Sequence, residues 1–378
     1  MRVALVMGTS AGGTGRHVHD LASGLVGAGH DVVVLAPAGE LDQFAFVGTG
    51  ARTVVLGVSD RPHPVRDARA LATLREVCGA ADVVHAHGAR VGALSAAALV
   101  GRSTPLVVTL HNASPGRGLA GRIHAVLERV VARGSDLVLG VSADIVEVQR
   151  RLGAVGAELA VIAAPPPTPV VHDRFAVRHA LGIGARTLLL VTVARLAPQK
   201  DLDLLVDAVA EMLCRHDVDV LAVVAGEGPD RDRLQQRIDA AGVPVRLLGH
   251  RSDVADLIAA ADAVVSTARW EGQPVALQEA LHAGAAIVAT DAGGTGAVVD
   301  EAAILVPVGD VASMARALAD VLLHAAVRDD LRSRAISRGS ELPTSADALE
   351  AALTAYASVR SAERPGSDGG SRPGQPPA

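Results

Sequence analysis

Glu271 and Glu279 stand eight positions apart in the segment Trp270-Glu271-Gly272-Gln273-Pro274-Val275-Ala276-Leu277-Gln278-Glu279. Pro274 suits the first turn of a helix, so Glu271 belongs to the preceding loop and Glu279 to the helix itself, about one turn in. Both carboxylates can then face one cleft, where they would accept hydrogen bonds from sugar hydroxyls, while Gly272 leaves backbone amides accessible. An acid at a helix start also complements the dipole. That plainer reading accounts for Glu271 but serves Glu279 less well, because Ala280-Leu281 follows it. Arg195 and Lys200 fall in the loop Ala194-Arg195-Leu196-Ala197-Pro198-Gln199-Lys200, just after an apolar run. Two cations at the carboxyl end of a strand suit a diphosphate: arginine grips two oxygens and lysine adds a movable point charge. Alternatively they are ordinary surface charges on a solvated loop.

Weaker signals surround these. Gly12-Gly13-Thr14-Gly15 follows the first apolar run and opens a helix, where free amides and a partial positive charge could hold a phosphate. The spacing is not the Gly-x-Gly-x-x-Gly dinucleotide fingerprint, and a tight strand-to-helix turn explains it equally well. His85 and His87 flank Ala86 at a strand end and would point the same way; with no third ligand evident, core packing and cleft lining are preferred to metal. Asp201-Leu202-Asp203 has metal-pair spacing, but it opens a helix, where dipole complementation is simpler. Trp270 could stack on a sugar or base, or anchor its loop. His19, His63 and His324 read as surface or packing residues. Cys78 and Cys214 form no metal or disulfide pattern and read as small buried hydrophobes.

The elements that must position these groups repeat a simple pattern. Short Val/Leu/Ala runs at 2–7, 31–36, 53–56, 82–85, 106–110 and 137–141 alternate with helical segments such as 15–28. Such near-continuous runs are expected of strands buried on both faces of a parallel sheet. Four prolines between 163 and 169 break the pattern and mark a linker. It then restarts with strands at 188–193, 220–225, 245–248, 263–266, 286–289 and 302–306, and helices from 202, near 231–241 and from 274. The fold class is therefore α/β, two Rossmann-like doubly wound domains facing a central cleft. The first is expected to cover 1–165 and the second 170–342, with a helix at 345–362 turning back on the first and the Gly/Pro/Ser-rich 363–378 expected as a disordered tail.

Composition bounds the partners. The chain has 378 residues, 35 basic and 41 acidic side chains and a net charge of −6, so no basic excess exists to displace counterions from nucleic acid. Aromatic residues make up only 1%, too few for base-stacking platforms. No apolar stretch reaches the ~18 residues of a spanning helix, and the first apolar run is too short for a secretory leader. A soluble, cytoplasmic protein is expected, with peripheral membrane contact left open.

Taken in order, these residues resemble the retaining, GT-B-fold glycosyltransferases of family 4. The resemblance runs from Met1 to about Tyr356. It is carried by Gly12-Gly13 with Gly29-His30, by Asp82-Val83-Val84-His85-Ala86-His87, by Thr109-Leu110-His111 and by Arg195 with Lys200. Further matches are Gly226-Glu227-Gly228-Pro229, Val245-Arg246-Leu247-Leu248-Gly249, Glu271 with Glu279, Gly284 and Gly293-Gly294. It implies a metal-independent hexosyltransferase taking a UDP- or GDP-linked sugar, with no other cofactor, to an acceptor hydroxyl on a small molecule, glycan or lipid-linked compound. Arg195 and Lys200 would bind the diphosphate and stabilise the leaving group, and Glu279 the ribose. Glu271, with the backbone N–H groups of Gln273 and Val275 on either side of Pro274 and beside Gly272, would hold the donor sugar. His111 would reach the anomeric centre from the first domain, the Gly12-Gly13 loop would close over the phosphates, and His250-Arg251 would neighbour the base. Asn112 is a candidate acceptor contact.

Three positions depart from the family pattern. Ala163-Ala164 replaces a usual Asn-Gly, Gln273 a usual Phe, and Thr295-Gly296-Ala297-Val298 lacks a usual Glu. A sugar-nucleotide epimerase on the same fold, or a non-catalytic nucleotide-sugar-binding protein, are the alternatives.

Overall fold

The computed structural model describes residues 1–10, 12–59, 63–111 and 118–361. Asn112 and the tail at 363–378 lie outside the described residues. Seven strands form the first sheet: β1 Arg2–Met7, β2 Asp31–Ala36, β3 Arg52–Val55, β4 Val83–His87, β5 Leu106–Leu110, β6 Leu137–Gly140 and β7 Ala157–Leu159. Their spatial order is β3-β2-β1-β4-β5-β6-β7, parallel throughout. Six more form the second: β8 Leu188–Val193, β9 Val220–Ala225, β10 Val245–Gly249, β11 Ala263–Ser266, β12 Ile287–Thr290 and β13 Ala303–Val306. They run in the order β10-β9-β8-β11-β12-β13, again parallel. Five of the six residues in β1 and all six in β9 are buried, as expected of strands covered by helices on both faces.

Each sheet reverses its winding at one place, between β1 and β4 in the first and between β8 and β11 in the second. The carboxyl ends of strands at such switch points leave an open crevice, because the flanking connections depart to opposite faces. Here the two crevices face each other. Helix α1, Gly13–Gly27, starts at the first of them. Gly15 sits where a Cβ would lie 2.2 Å from the Phe44 ring, so this glycine serves close packing inside the first domain.

Helix α2, Leu202–Arg215, follows β8, and helix α3, Val275–His282, follows β11. On α2 the positions 205, 209 and 212 take the buried face. Cys214, two residues beyond Met212, is turned outward and exposed, which corrects the expectation that both cysteines are buried. Cys78 is buried, and desolvation pushes its thiol up to about 12. Helix α4, Ser345–Ser361, packs on α1: Ala352, Ala355 and Tyr356 join Leu21 and Leu25 in one core. None of the helices among the described residues is long and apolar enough to cross a membrane.

Tyr356 is fully buried beneath the first sheet's crevice. Tyr356→Ala would remove that packing and leave a cavity, and should destabilise the protein by about 3–5 kcal/mol. Urea unfolding followed by circular dichroism measures this; a loss below about 1 kcal/mol would mean that α4 is only loosely attached.

Candidate active site

The facing crevices enclose a cavity of ≈ 960 Å³. Its second-domain wall is built from the loops after β8 and β11, which are laced together. Pro198–Lys200 forms a 3-10 turn ending at Asp201, whose φ of 45° is left-handed. Asp201 is held there by an ion pair to Arg269 at 2.9 Å. The Arg269 backbone N–H donates to Gln199 O at 2.8 Å, Gln199 Nε2 donates to Trp270 O at 2.8 Å, and Thr267 Oγ1 donates to Lys200 O at 2.8 Å. These bonds bring Lys200 Nζ onto Glu271 Oε1, as a hydrogen-bonded ion pair. Glu271 is buried at 7% exposure, so Lys200 is the partner that makes its charge tolerable. Arg195 is exposed on the same wall and has no ion-pair partner among the described residues, leaving a guanidinium open to an anion.

Asp201 and Asp203, with their metal-like spacing, are both engaged by arginines. Asp201 pairs with Arg269, and Asp203 with Arg233 at 2.9 Å and Arg237 at 3.1 Å. Glu279 also lines the cavity; burial raises its carboxyl above the usual range, and Arg16 of α1 opposes that shift. Arg251 is held bidentate by Asp253, at 2.7 and 2.5 Å, beside exposed His250.

The loop after β11 also reaches the first domain. Trp270 packs against that domain's core and its Nε1–H donates to Asp144 at 3.2 Å, so it anchors the loop. Gln273 Nε2 donates to Val141 O at 3.4 Å, and Gln278 Nε2 to Gln273 Oε1 at 2.9 Å. Gly272 is required here: a Cβ would stand 2.6 Å from Val141 Cγ2 and 2.9 Å from His111 O.

On the opposite wall four histidines gather. His111, just past β5, lines the cavity, and its Nε2 lies 3.2 Å from His87 Nδ1. His85 and His87 project from one face of β4 with ring centroids 4.1 Å apart. His17 of α1 meets His87 and His111 edge-on at 5.6 and 5.8 Å. Burial lowers all four: His17 to about 4, with Asp20 opposing, and His85 to about 3. His87 and His111 fall well below the usual range, mutual repulsion adding to desolvation. This wall therefore carries no histidine charge at neutral pH.

The described residues assigned from sequence to donor binding and catalysis, from Gly12, Gly13 and His111 to Arg195, Lys200, His250, Arg251, the segment 271–275 and Glu279, line this one cavity, whereas His85, Asp201 and Asp203 do not. Sequence reasoning missed His17, Arg16 and Asp144. For His17 a signal existed, one turn into the helix that the glycine loop opens.

The family models agree with this geometry in both halves. "Glycosyl transferase 4-like domain" matches residues 12–165 and "Glycosyl transferases group 1" matches residues 173–338. Phosphatidyl-myo-inositol mannosyltransferase of Mycolicibacterium smegmatis is 30% identical over 364 residues, covering 90% of this chain and 89% of that protein. The chain belongs to glycosyltransferase family 4. The glycosyltransferase is also 29% identical to glycogen synthase of Mycobacterium tuberculosis over 360 residues, 82% of each chain. Its GT-B fold matches Anabaena HepE in complex with UDP with a TM-score of 0.78 at 20% identity, covering 95% of this chain and 100% of that one.

The four histidines give the glycosyltransferase a signed pH response. Between the ordinary histidine range near 6.5 and their lowered native values, the unfolded chain binds more protons than the folded one. Stability is therefore full above pH 6.5 and falls as pH drops. Each pH unit costs ~1.4 kcal/mol per such histidine. The urea midpoint should be lower at pH 5.5 than at pH 7.5, and His17→Gln should flatten that dependence by about one proton. Equal slopes for the variant and the parent would show that His17 is not held neutral.

Proposed function

We propose that this enzyme transfers a glycosyl group from a UDP- or GDP-linked sugar to an acceptor hydroxyl with retention of anomeric configuration. The observation that carries this reading is the pairing of open Arg195 with the Lys200–Glu271 ion pair at one switch point, directly facing neutral His111. Breaking the bond between the anomeric carbon and the phosphate oxygen leaves extra negative charge on the nucleoside diphosphate. Fixed cations in a shielded cleft stabilise that charge more in the transition state than in the ground state. Arg195 takes the diphosphate, and Lys200 shifts from Glu271 toward it. Glu271 then accepts from sugar hydroxyls together with the amides at the start of α3, and Glu279 accepts from the ribose. In same-face attack the acceptor oxygen bonds to the anomeric carbon, the phosphate oxygen leaves with the bond's electron pair, and the acceptor proton passes to that oxygen. Two cations and helix amides supply the neutralisation, so the proposal calls for no metal.

Both donor bases occur among similar proteins. HepE has been solved with UDP-glucose, and a GDP-mannose-dependent mannosyltransferase of Mycobacterium tuberculosis is 40% identical over 100 residues. The acceptor would enter from the first-domain side. The relatives' names span a glycan polymer and a phosphatidylinositol lipid.

A thermal-shift panel of UDP-, GDP- and ADP-sugars should yield one stabilising donor, and nucleoside diphosphate release from it then measures turnover. Arg195→Ala, Lys200→Ala and Glu271→Ala should each lower turnover by at least ~10²-fold. Unchanged rates in Arg195→Ala and Lys200→Ala would end the site assignment. Conversion of the sugar without release of nucleoside diphosphate would favour an epimerase.

A further inference from the structure

We infer that His87 is a positioning residue that holds His111 as its Nδ1–H tautomer, so that His111 meets bound substrate as a hydrogen-bond donor and not as a general base. Its role in turnover rests on the transferase reading above; the tautomer itself does not.

The argument is a count of protons. A neutral imidazole has one N–H and one bare nitrogen. His87 Nδ1 and His111 Nε2 are 3.2 Å apart, so one proton lies between them. If His111 supplied it, His87 would carry its own proton on Nε2. That atom is buried and has no hydrogen-bond partner among the described residues. An orphaned buried N–H is the rarer and costlier fault; a bare buried lone pair is the lesser one. His87 therefore donates from Nδ1, His111 accepts at Nε2, and the His111 proton resides on Nδ1. Protonating His111 would set two N–H groups against each other, which gives a geometric reason for the ring to stay neutral.

The rings behind His87 are fixed for this purpose. His85 has both nitrogens engaged, Nδ1 with Tyr356 Oη at 2.8 Å and Nε2 with Thr109 Oγ1 at 2.7 Å. Its ring lies 4.1 Å from that of His87, at 35°. His17 closes the other side edge-on. Helix α4 thus reaches the cleft through Tyr356, His85 and His87, ending at His111. Among the described residues no three metal-ligating groups converge on one point, so the cluster reads as a scaffold for one ring. With Nε2 of His111 occupied, the acceptor proton must leave by another route, consistent with its passage to the departing phosphate.

Nitrogen-15 histidine labelling with long-range proton–nitrogen correlation at pH 7.5 reads the tautomer directly, the His111 signals being assigned by their loss in His111→Gln. The expected pattern is a protonated Nδ1 and a bare Nε2. His87→Phe should let both tautomers mix and lower kcat roughly 10- to 100-fold, with donor KM within about threefold. His87→Asn, whose amide N–H can stand in for Nδ1–H, should restore the single tautomer and most of kcat; His87→Gln should not. An Nε2–H pattern in the parent protein overturns the inference, even if none of the three His87 variants folds. So does a His87→Phe variant with unchanged tautomer and kcat. The Nδ1–H pattern in a protein that turns over no nucleotide sugar would uphold the positioning of the ring and sink the transferase reading alone.

Discussion

The site is organised around a carboxylate that is costly to bury and a lysine that makes its burial tolerable. Glu271 is almost fully shielded, and an ionised carboxylate in such a place needs both a counter-charge and hydrogen bonds. Lys200 provides the counter-charge and one hydrogen bond, because the laced loops after β8 and β11 hold its ammonium against the carboxylate. Those loops are adjacent because β8 and β11 are neighbours at the point where the sheet reverses its winding. Topology, lacing and ion pair form one chain of causes, and the left-handed turn at Asp201, clamped by Arg269, lies in the middle of it.

The same loop reaches over to the other domain. Trp270, Gly272 and Gln273 touch Asp144, Val141 and the His111 backbone, so the position of Glu271 relative to the histidine wall is set by direct contact. A side chain at 272 would push the two walls apart. Gln273 makes two amide hydrogen bonds here, one to Val141 O and one from Gln278. A hydrogen-bonded contact is directional, which ties the start of α3 to the end of β6 at a defined angle.

Most of the architecture was legible because parallel strands buried on both faces write themselves as unbroken Val/Leu/Ala runs, and because prolines at 163–169 separate the two sets. The runs at 2–7, 31–36 and 188–193 coincide with β1, β2 and β8. The clustering of Arg195, Lys200, Glu271 and Glu279 could be anticipated from their places at strand ends and on the helix after β11. What was hidden is whatever depends on a distant partner. Asp201 and Asp203 were read as complementing a helix dipole, and nothing local announced Arg269, Arg233 and Arg237, which pair with them from other elements. Cys214 was assigned to the core from residue type, although its place on the helical wheel turns it outward. The bond from Tyr356 to His85 spans 271 positions, and no local pattern announces it.

The two walls of the cleft differ in a way that bears on the proposed chemistry. The second domain supplies Lys200 and Arg195, while the first contributes Arg16 of α1, which acts on Glu279. The wall around His111 carries four imidazoles that burial keeps neutral. In a departing-phosphate reaction negative charge develops on one partner only, and a fixed positive charge near the acceptor would draw the diphosphate toward the wrong wall. Holding the histidines neutral adds no further charge around His111 and still leaves an N–H there to orient a hydroxyl. The cost is stability lost in acid, a charge in the same currency as the preorganisation gained, since both follow from excluding water from these rings.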